Sequence, residues 1–281
     1  MRLTRLIMAA AALLLSAGTA FAAQPVDGGI GFQEAVTPVM ERLVWFHNYM
    51  VFPIIVVITL FVMVLMMFIM FRFREKANPV PSKTTHHTWL EIVWTIVPVG
   101  ILLVLVVPSM QLLYLQDDIP EADMTIKVTG NTWNWEYSYP EYDNVDSFIS
   151  NVLEKEDAAA DGKPYLLGTD APLVVPVDTT VKVLVTSNNN IHAFAMPAFG
   201  IKLDAIPGKI NETWFKVNAG KEGTYYGQCS EICGVRHAFM PIEIKVVSKP
   251  EFERWIANDG AFAGDVAMNS IGGAAVTAAQ E

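Results

Sequence analysis

Tyr225-Tyr-Gly-Gln-Cys-Ser-Glu-Ile-Cys-Gly-Val-Arg-His-Ala-Phe-Met240 is the stretch on which the reading of this chain turns. It places Cys229, Cys233, His237 and Met240 within twelve residues. An aromatic run precedes the first cysteine, and Ile242-Glu-Ile-Lys-Val246 alternates with period two after the methionine, so the loop is expected to join two strands. Upstream, His192 opens another short strand-like run, Ile191-His-Ala-Phe-Ala-Met196. From residue 117 onward the chain holds only two cysteines and two histidines, and all four belong to this constellation.

The spacing lets Cys229 and Cys233 converge on a shared point in a tight loop, with His237 and Met240 returning to the same side. Two thiolates, two imidazoles and a thioether form a soft donor set, suited to copper rather than to calcium or magnesium. A mononuclear blue-copper centre needs one thiolate, two histidines and a weak axial methionine. The second thiolate allows two sulfurs to bridge two metals, each completed by one histidine and one weaker ligand. Such a dinuclear copper site could share one electron. Two other readings of the same residues stay open. One is a Cys229–Cys233 disulfide, which an oxidising compartment would permit. The other is a tetrahedral zinc site of two cysteines and two histidines, which leaves Met240 unexplained.

Strand-like runs surround the loop at 124–129, 133–139, 173–177, 180–187, 192–196, 212–217, 223–227 and 240–247, with turn residues between them. Eight short strands predict an all-β Greek-key sandwich or barrel over 117–257. An acidic stretch rich in Ala, Asp and Gly at 141–170 is expected as a surface insertion, and 249–257 as a closing helix. The tail, 258–281, has no periodicity and is expected to be disordered.

The front of the chain is different. Of 281 residues, 52% are apolar and only 17% charged, with a mean hydropathy of +0.34. That composition excludes a mainly disordered chain and disfavours an ordinary soluble domain, which averages about 25% charged. Residues 1–22 read as a cleaved signal peptide: Arg2 and Arg5 precede an apolar run that ends in Ala20-Phe-Ala22. An exported N-terminal segment, 23–45, leads into a first transmembrane helix at 46–73, and a second follows at 89–116. The loop between them, 74–88, is basic, with Arg74, Lys76 and Lys83 after Arg72, and reads as cytoplasmic. His86 and His87 read as loop residues, and Glu91 as a carboxylate at the cytoplasmic edge of the second span, either interfacial or part of a proton route.

Net charge divides along the same line. The formal total is −10. Residues 1–116 carry seven basic and five acidic side chains, and residues 117–281 carry twelve and twenty-four. A strongly acidic exported domain argues against a nucleic-acid partner.

At the loop the sequence becomes specific. C-x-E-x-C-G-x-x-H-x-x-M after Y-Y-G-Q, with a histidine well upstream, resembles the copper A site of cytochrome c oxidase subunit II. Gly200-Ile-Lys-Leu-Asp-Ala-Ile-Pro-Gly208, Gly130-Asn-Thr-Trp-Asn-Trp-Glu-Tyr137 and Glu91-Ile-Val-Trp-Thr95 resemble further segments of that family. Thr132 and Asn134 depart from its aromatic run, and Ser187-Asn-Asn-Asn-Ile-His192 lacks an acid that the family often carries there. The resemblance implies a two-helix transmembrane hairpin plus a cupredoxin-like periplasmic domain, in a bacterial plasma membrane. It implies that Cys229 and Cys233 bridge two coppers, one completed by His192 and Met240, the other by His237 and the Glu231 carbonyl. It implies further that the Glu231 carboxylate reaches a magnesium or manganese ion at the boundary with the catalytic subunit. Trp133 would be the entry for electrons from cytochrome c, His237 would lie on the exit toward haem, and Glu91 at the mouth of a proton channel. The implied partners are catalytic subunit I, subunit III, cytochrome c and the lipid membrane. Glu141, Asp143, Asp146, Asp170 and Asp204 are expected to steer a basic cytochrome. A quinol-oxidase subunit II would lack the copper ligands, nitrous oxide reductase needs a large further domain, and a copper chaperone would show Met/His-rich flexible motifs; none of these fits as well.

Overall fold

The structure, a computed structural model, describes residues 23–26 and 28–262. The signal peptide expected at 1–22 and the tail beyond 262 lie outside the described residues. The chain divides into two units, one formed by Val39–Ile119, the other by the segments on either side of it.

The helical unit starts with α1 (Pro38–Phe46), which runs through a π turn (His47–Val51) into α2 (Phe52–Arg72). The π turn has a local cause. Pro53 has no N–H for the Tyr49 carbonyl, and the ladder shifts so that Phe52 N–H donates to His47 O. Helix therefore begins ahead of the expected boundary at 46. An uncharged-run criterion passes over a first turn that carries Glu41 and Arg42. The second apolar helix, α3 (Thr88–Asp117), is capped by His87, whose Nδ1 accepts the Leu90 N–H at 3.3 Å. In return Glu91 Oε1 accepts the His87 N–H at 3.1 Å. At 21 and 30 residues, α2 and α3 extend about 31 and 45 Å, enough for a hydrocarbon core of about 30 Å. The most apolar 18-residue window of each helix has no buried residue.

The β unit is a sandwich of two five-stranded sheets. One has the order β3-β2-β1-β5-β8, from β1 (Met124–Asn131), β2 (Asn134–Ser138), β3 (Phe148–Ser150), β5 (Thr180–Ser187) and β8 (Asn211–Lys216). The other runs β4-β10-β9-β6-β7, from β4 (Leu173–Pro176), β6 (His192–Met196), β7 (Ile201–Ala205), β9 (Gly223–Cys229) and β10 (Pro241–Val247). Pairing is antiparallel except for β1 with β5 and β10 with β4, the long-range crossovers of a Greek-key chain path. Strand β5 shows why these residues make strands: Val181, Val183 and Val185 are sealed inward while Lys182, Leu184 and Thr186 are half-buried. Ile126, Val128, Trp135 and Tyr137 from one sheet meet Leu173, Phe194, Tyr225, Ile242 and Ile244 from the other. The Tyr139 hydroxyl ties the layers, donating to Val174 O at 2.7 Å and accepting the Val174 N–H at 3.0 Å.

Three sequence expectations change. The 141–170 stretch is not only a surface excursion: β3 extends the first sheet and a short helix, α4 (Lys155–Ala160), buries Ala158. The insertion is held by the buried carboxylate Glu243, which accepts the Thr169 N–H at 2.7 Å and pairs with Lys163 Nζ at 3.2 Å. Its acidic, alanine-rich composition hides this because the partners are distant in sequence. Residues 201–205, read only as a family segment, form strand β7 on the open edge of the second sheet. The chain also stays packed past 258: beyond α5 (Lys249–Ala257), Phe262 lies against the core and under Lys245 Nζ, 3.6 Å from the ring centre. Near the start, 23–37 packs on the sandwich: Tyr226 N–H donates to Ala23 O, and Val36 bonds to Ala198 and Asn218.

Candidate metal centre

Strands β6 and β9 lie side by side, with Phe194 opposite Cys229, and this pairing brings His192 and the first cysteine to one end of the sandwich. After Cys229 the chain leaves the sheet, turns through Glu231 and Gly234, and re-enters at Met240 through a 3-10 turn, His237–Phe239. The loop is closed by a backbone bond from Cys229 N–H to Met240 O at 3.0 Å. Ser230 N–H donates to Ala193 O at 3.0 Å, which fixes the other side of the exit.

The four donors form a cluster linked by successive close contacts. His192 Nδ1 is 3.8 Å from Cys229 Sγ, the two sulfurs are 3.8 Å apart, and Cys233 Sγ is 3.5 Å from His237 Nδ1. Ligand atoms of His192, Cys229 and Cys233 all lie within 4.8 Å of one another. Both cysteines are free thiols, so the disulfide reading finds no support in the geometry. Glu231 O lies 3.4 Å from Cys229 Sγ, and its backbone therefore faces the thiols while the residue itself is exposed. Met240 is fully buried where the loop rejoins the sheet. His192 is also sealed, whereas His237 is half-buried.

Burial pushes the Cys233 thiol up to about 12, with the neighbouring Cys229 adding to the shift. It holds His192 below the usual imidazole range, and His237 adds to that effect. At neutral pH the site thus presents a neutral imidazole beside a protonated thiol. A soft cation entering it would displace thiol protons.

Close packing at two glycines shapes the site. A Cβ on Gly130 would come within 2.9 Å of His192 Cδ2, and one on Gly234, whose φ is +121°, within 3.0 Å of the Trp133 ring. Trp133 is half-buried on the loop, and its Nε1–H donates to Cys233 O at 3.1 Å. Asn190 Nδ2 donates to the same oxygen at 2.8 Å. Sequence reading singled out Trp133 but missed Asn190; three consecutive asparagines look like any polar turn.

Other expected residues fall elsewhere. Glu91 caps α3 in the helical unit. The five acids are all exposed, but they do not form one ring around Trp133. Five-residue β2, about 17 Å long, separates Trp133 from Glu141, Asp143 and Asp146. Asp146 and Asp170 instead line a cavity of about 720 Å³ with Glu243 and Trp255. Asp204, opposite Ala193 on β7, lies beside the histidine strand.

Two apolar helices ahead of a sandwich that carries a buried dithiol between imidazoles define a membrane-anchored, cupredoxin-like protein with a candidate soft-metal site. Comparison with known proteins makes this particular. Residues 124–247 match the family described as cytochrome c oxidase subunit II, periplasmic domain, and residues 25–112 match its transmembrane domain. The chain is 41% identical over 266 residues to cytochrome c oxidase subunit 2 of Cereibacter sphaeroides, covering 86% of this chain and 87% of that one. It is 42% identical over 233 residues to the Cyanidium caldarium protein of the same name, covering 82% and 90%. The crystal structure of the periplasmic domain of subunit II of cytochrome oxidase from Bradyrhizobium japonicum is 51% identical, covering 50% of this chain and 96% of that one with a TM-score of 0.45. The chain belongs to the cytochrome c oxidase subunit II family and is a subunit of a haem–copper oxidase, an oxidoreductase complex.

Proposed function

We propose that this chain is the electron-accepting subunit of the oxidase. It takes electrons singly from cytochrome c and delivers them to haem in catalytic subunit I, where oxygen is reduced to water with proton pumping. The observation that carries this reading is the cluster of four donors, His192, Cys229, Cys233 and His237, with 3.8, 3.8 and 3.5 Å between successive residues' ligand atoms. This soft, buried donor set fits copper, and a bound copper pair would supply a one-electron store. Cys229, Cys233, His192, His237, Met240 and the Glu231 carbonyl would hold the pair. The protein's own part is rigidity: Trp133 and Asn190 both fasten Cys233 O, so the loop has little room to relax when its charge changes.

Roles beyond metal binding follow from exposure, position and charge. Trp133, half-buried and bonded directly to the Cys233 backbone, is the entry point. His237, half-buried beside Cys233, is the exit toward subunit I. The exposed Glu231 carboxylate is available to a magnesium or manganese ion at that boundary. Glu91 serves a proton-channel mouth of subunit I while capping its own helix. Arg72, Arg74, Lys76 and Lys83 hold the loop between α2 and α3 in the cytoplasm of a bacterium, which puts the sandwich in the periplasm. Subunit III completes the expected complex. The five acids act through the long-range field of the acidic domain, with Asp204 opposite Ala193, the residue after His192.

Copper quantitation and EPR on the purified oxidase test the centre. Hyperfine structure spread over two copper nuclei is expected, and lost in Cys229→Ser without loss of assembly. One copper per chain with single-nucleus hyperfine would overturn the dinuclear reading. Stopped-flow oxidation of cytochrome c tests the entry: Trp133→Gln should slow transfer sharply at unchanged copper content. Added salt should slow association of the wild type. Trp133→Gln kinetics equal to wild type would exclude Trp133, and salt-independent association would exclude steering.

A further inference from the structure

The turn between β5 and β6, Ser187-Asn-Asn-Asn190, touches the donor cluster at two places, Cys233 and His192. Ser187 Oγ lies 2.6 Å from Asn190 O and 3.0 Å from Gly130 O, and accepts the Asn189 N–H at 3.3 Å. Asn190 reaches forward to Cys233 O. Asn189 reaches the other way, toward His192. Its Oδ1 accepts the backbone N–H of Asn190 at 2.8 Å, which identifies that atom as the oxygen, because an N–H can be met only by an acceptor. The same oxygen lies 3.1 Å from His192 Nε2.

An amide oxygen cannot donate, so the ring nitrogen facing it carries the hydrogen. A neutral imidazole protonated on Nε2 keeps its lone pair on Nδ1, and Nδ1 is the atom 3.8 Å from Cys229 Sγ. The ring has no room to turn over. It is fully buried, has Trp135 edge-on at 6.0 Å between centroids, and rests against the bare Cα of Gly130. His237 has no comparable second partner among the described residues.

We propose that Asn189 is the positioning residue of this centre: its side-chain oxygen holds His192 as the Nε2–H tautomer and thereby aims the Nδ1 lone pair at the Cys229 sulfur. That the lone pair then serves a metal rests on the copper reading above; the tautomer does not. Asn189 does this without charge. A carboxylate in its place would increase the basicity of the ring through the same hydrogen bond and favour the more highly charged state of a bound metal. The neutral amide therefore also sets the reduction potential of the loaded site upward.

The decisive measurement is 15N NMR of histidine-labelled, metal-free full-length chain in detergent micelles. Wild type should show His192 as the Nε2–H tautomer, and Asn189→Leu, which removes the acceptor at similar volume, should show a mixture of tautomers. Asn189→Asp retains an acceptor and should restore the single tautomer. A pure Nε2–H tautomer in Asn189→Leu would overturn the proposal. In the assembled, copper-loaded oxidase, Asn189→Asp should shift the one-electron equilibrium with the donor by roughly tenfold toward the oxidised site, about 59 mV in potential. An unchanged or raised potential would overturn the claim that the neutral amide sets it. A wild-type oxidase without copper at this loop would sink the copper reading, and the tautomer measurement would still decide the role of Asn189.

Discussion

In the sandwich, Ile126, Val183 and Ile244 are wholly inaccessible to solvent; in the helical unit, Val57, Phe61 and Leu102 are 66, 62 and 65% exposed. Both sets are apolar, but they use the hydrophobic effect differently. The β unit encloses its own solvent-free interior, and the loop built on it brings thiols and imidazoles together at its end. The most apolar windows of the two spans bury nothing within the chain: lipid and neighbouring subunits supply their apolar surroundings. Within one chain, then, stability should depend on enclosed packing in one unit and on contact with lipid in the other.

The largest expected effect tests the enclosed core. Phe215, 1% exposed and 4.9 Å from the Phe199 ring, leaves a cavity when truncated. Phe215→Ala should cost the sandwich about 3–5 kcal/mol, read as a fall in the denaturant midpoint of its β signal in circular dichroism. A midpoint equal to wild type would break the claim that this unit is stabilised by its own interior. Somewhat smaller is the cost at the centre of α2. Val62→Arg, at a position already 50% exposed, should cost about 2.5–3.5 kcal/mol of membrane insertion, seen as loss of the chain from the membrane fraction. Full retention would mean that α2 does not meet lipid. Smallest is a charge pair on the sandwich surface. Lys182 Nζ lies 2.9 Å from Glu212 Oε2 across β5 and β8, and Lys182→Ala should cost only about 0.2–1 kcal/mol in the same unfolding measurement. A loss as large as that of Phe215→Ala would move the stability of this unit from its core to its surface.

The ease of reading differed between the units for the same reason. Two uncharged runs and a basic loop identify the helices because lipid imposes a composition, and composition is local. Strand β5 could be placed to the residue, 180–187, because one of its faces is buried and the period of two shows through. Strand β3 and the α4 segment could not, because β3 depends on its pairing with β2, and the stretch after α4 is held by Glu243 and Lys163, which lie far apart in the chain and look like ordinary surface charges. Glu91 stands between these cases. The sequence marks it as unusual, and the fold shows the cap it makes with His87.

At the metal centre the division falls between ligands and their supports. Cys229, Cys233, His237, Met240 and, more distantly, His192 were legible because soft donors are rare here and four of them share one loop. Chemistry at that spacing is a local property. Only the tertiary structure shows that Trp133 Nε1–H and Asn190 Nδ2 meet on one carbonyl oxygen, across 100 and 43 residues of chain. Only it turns Asn189 from one of three polar turn residues into the partner that selects a histidine tautomer. Side-chain identity states what a residue can donate or accept. Which partner it meets depends on sheet register and on where glycines let two surfaces close, and no local pattern carries that information.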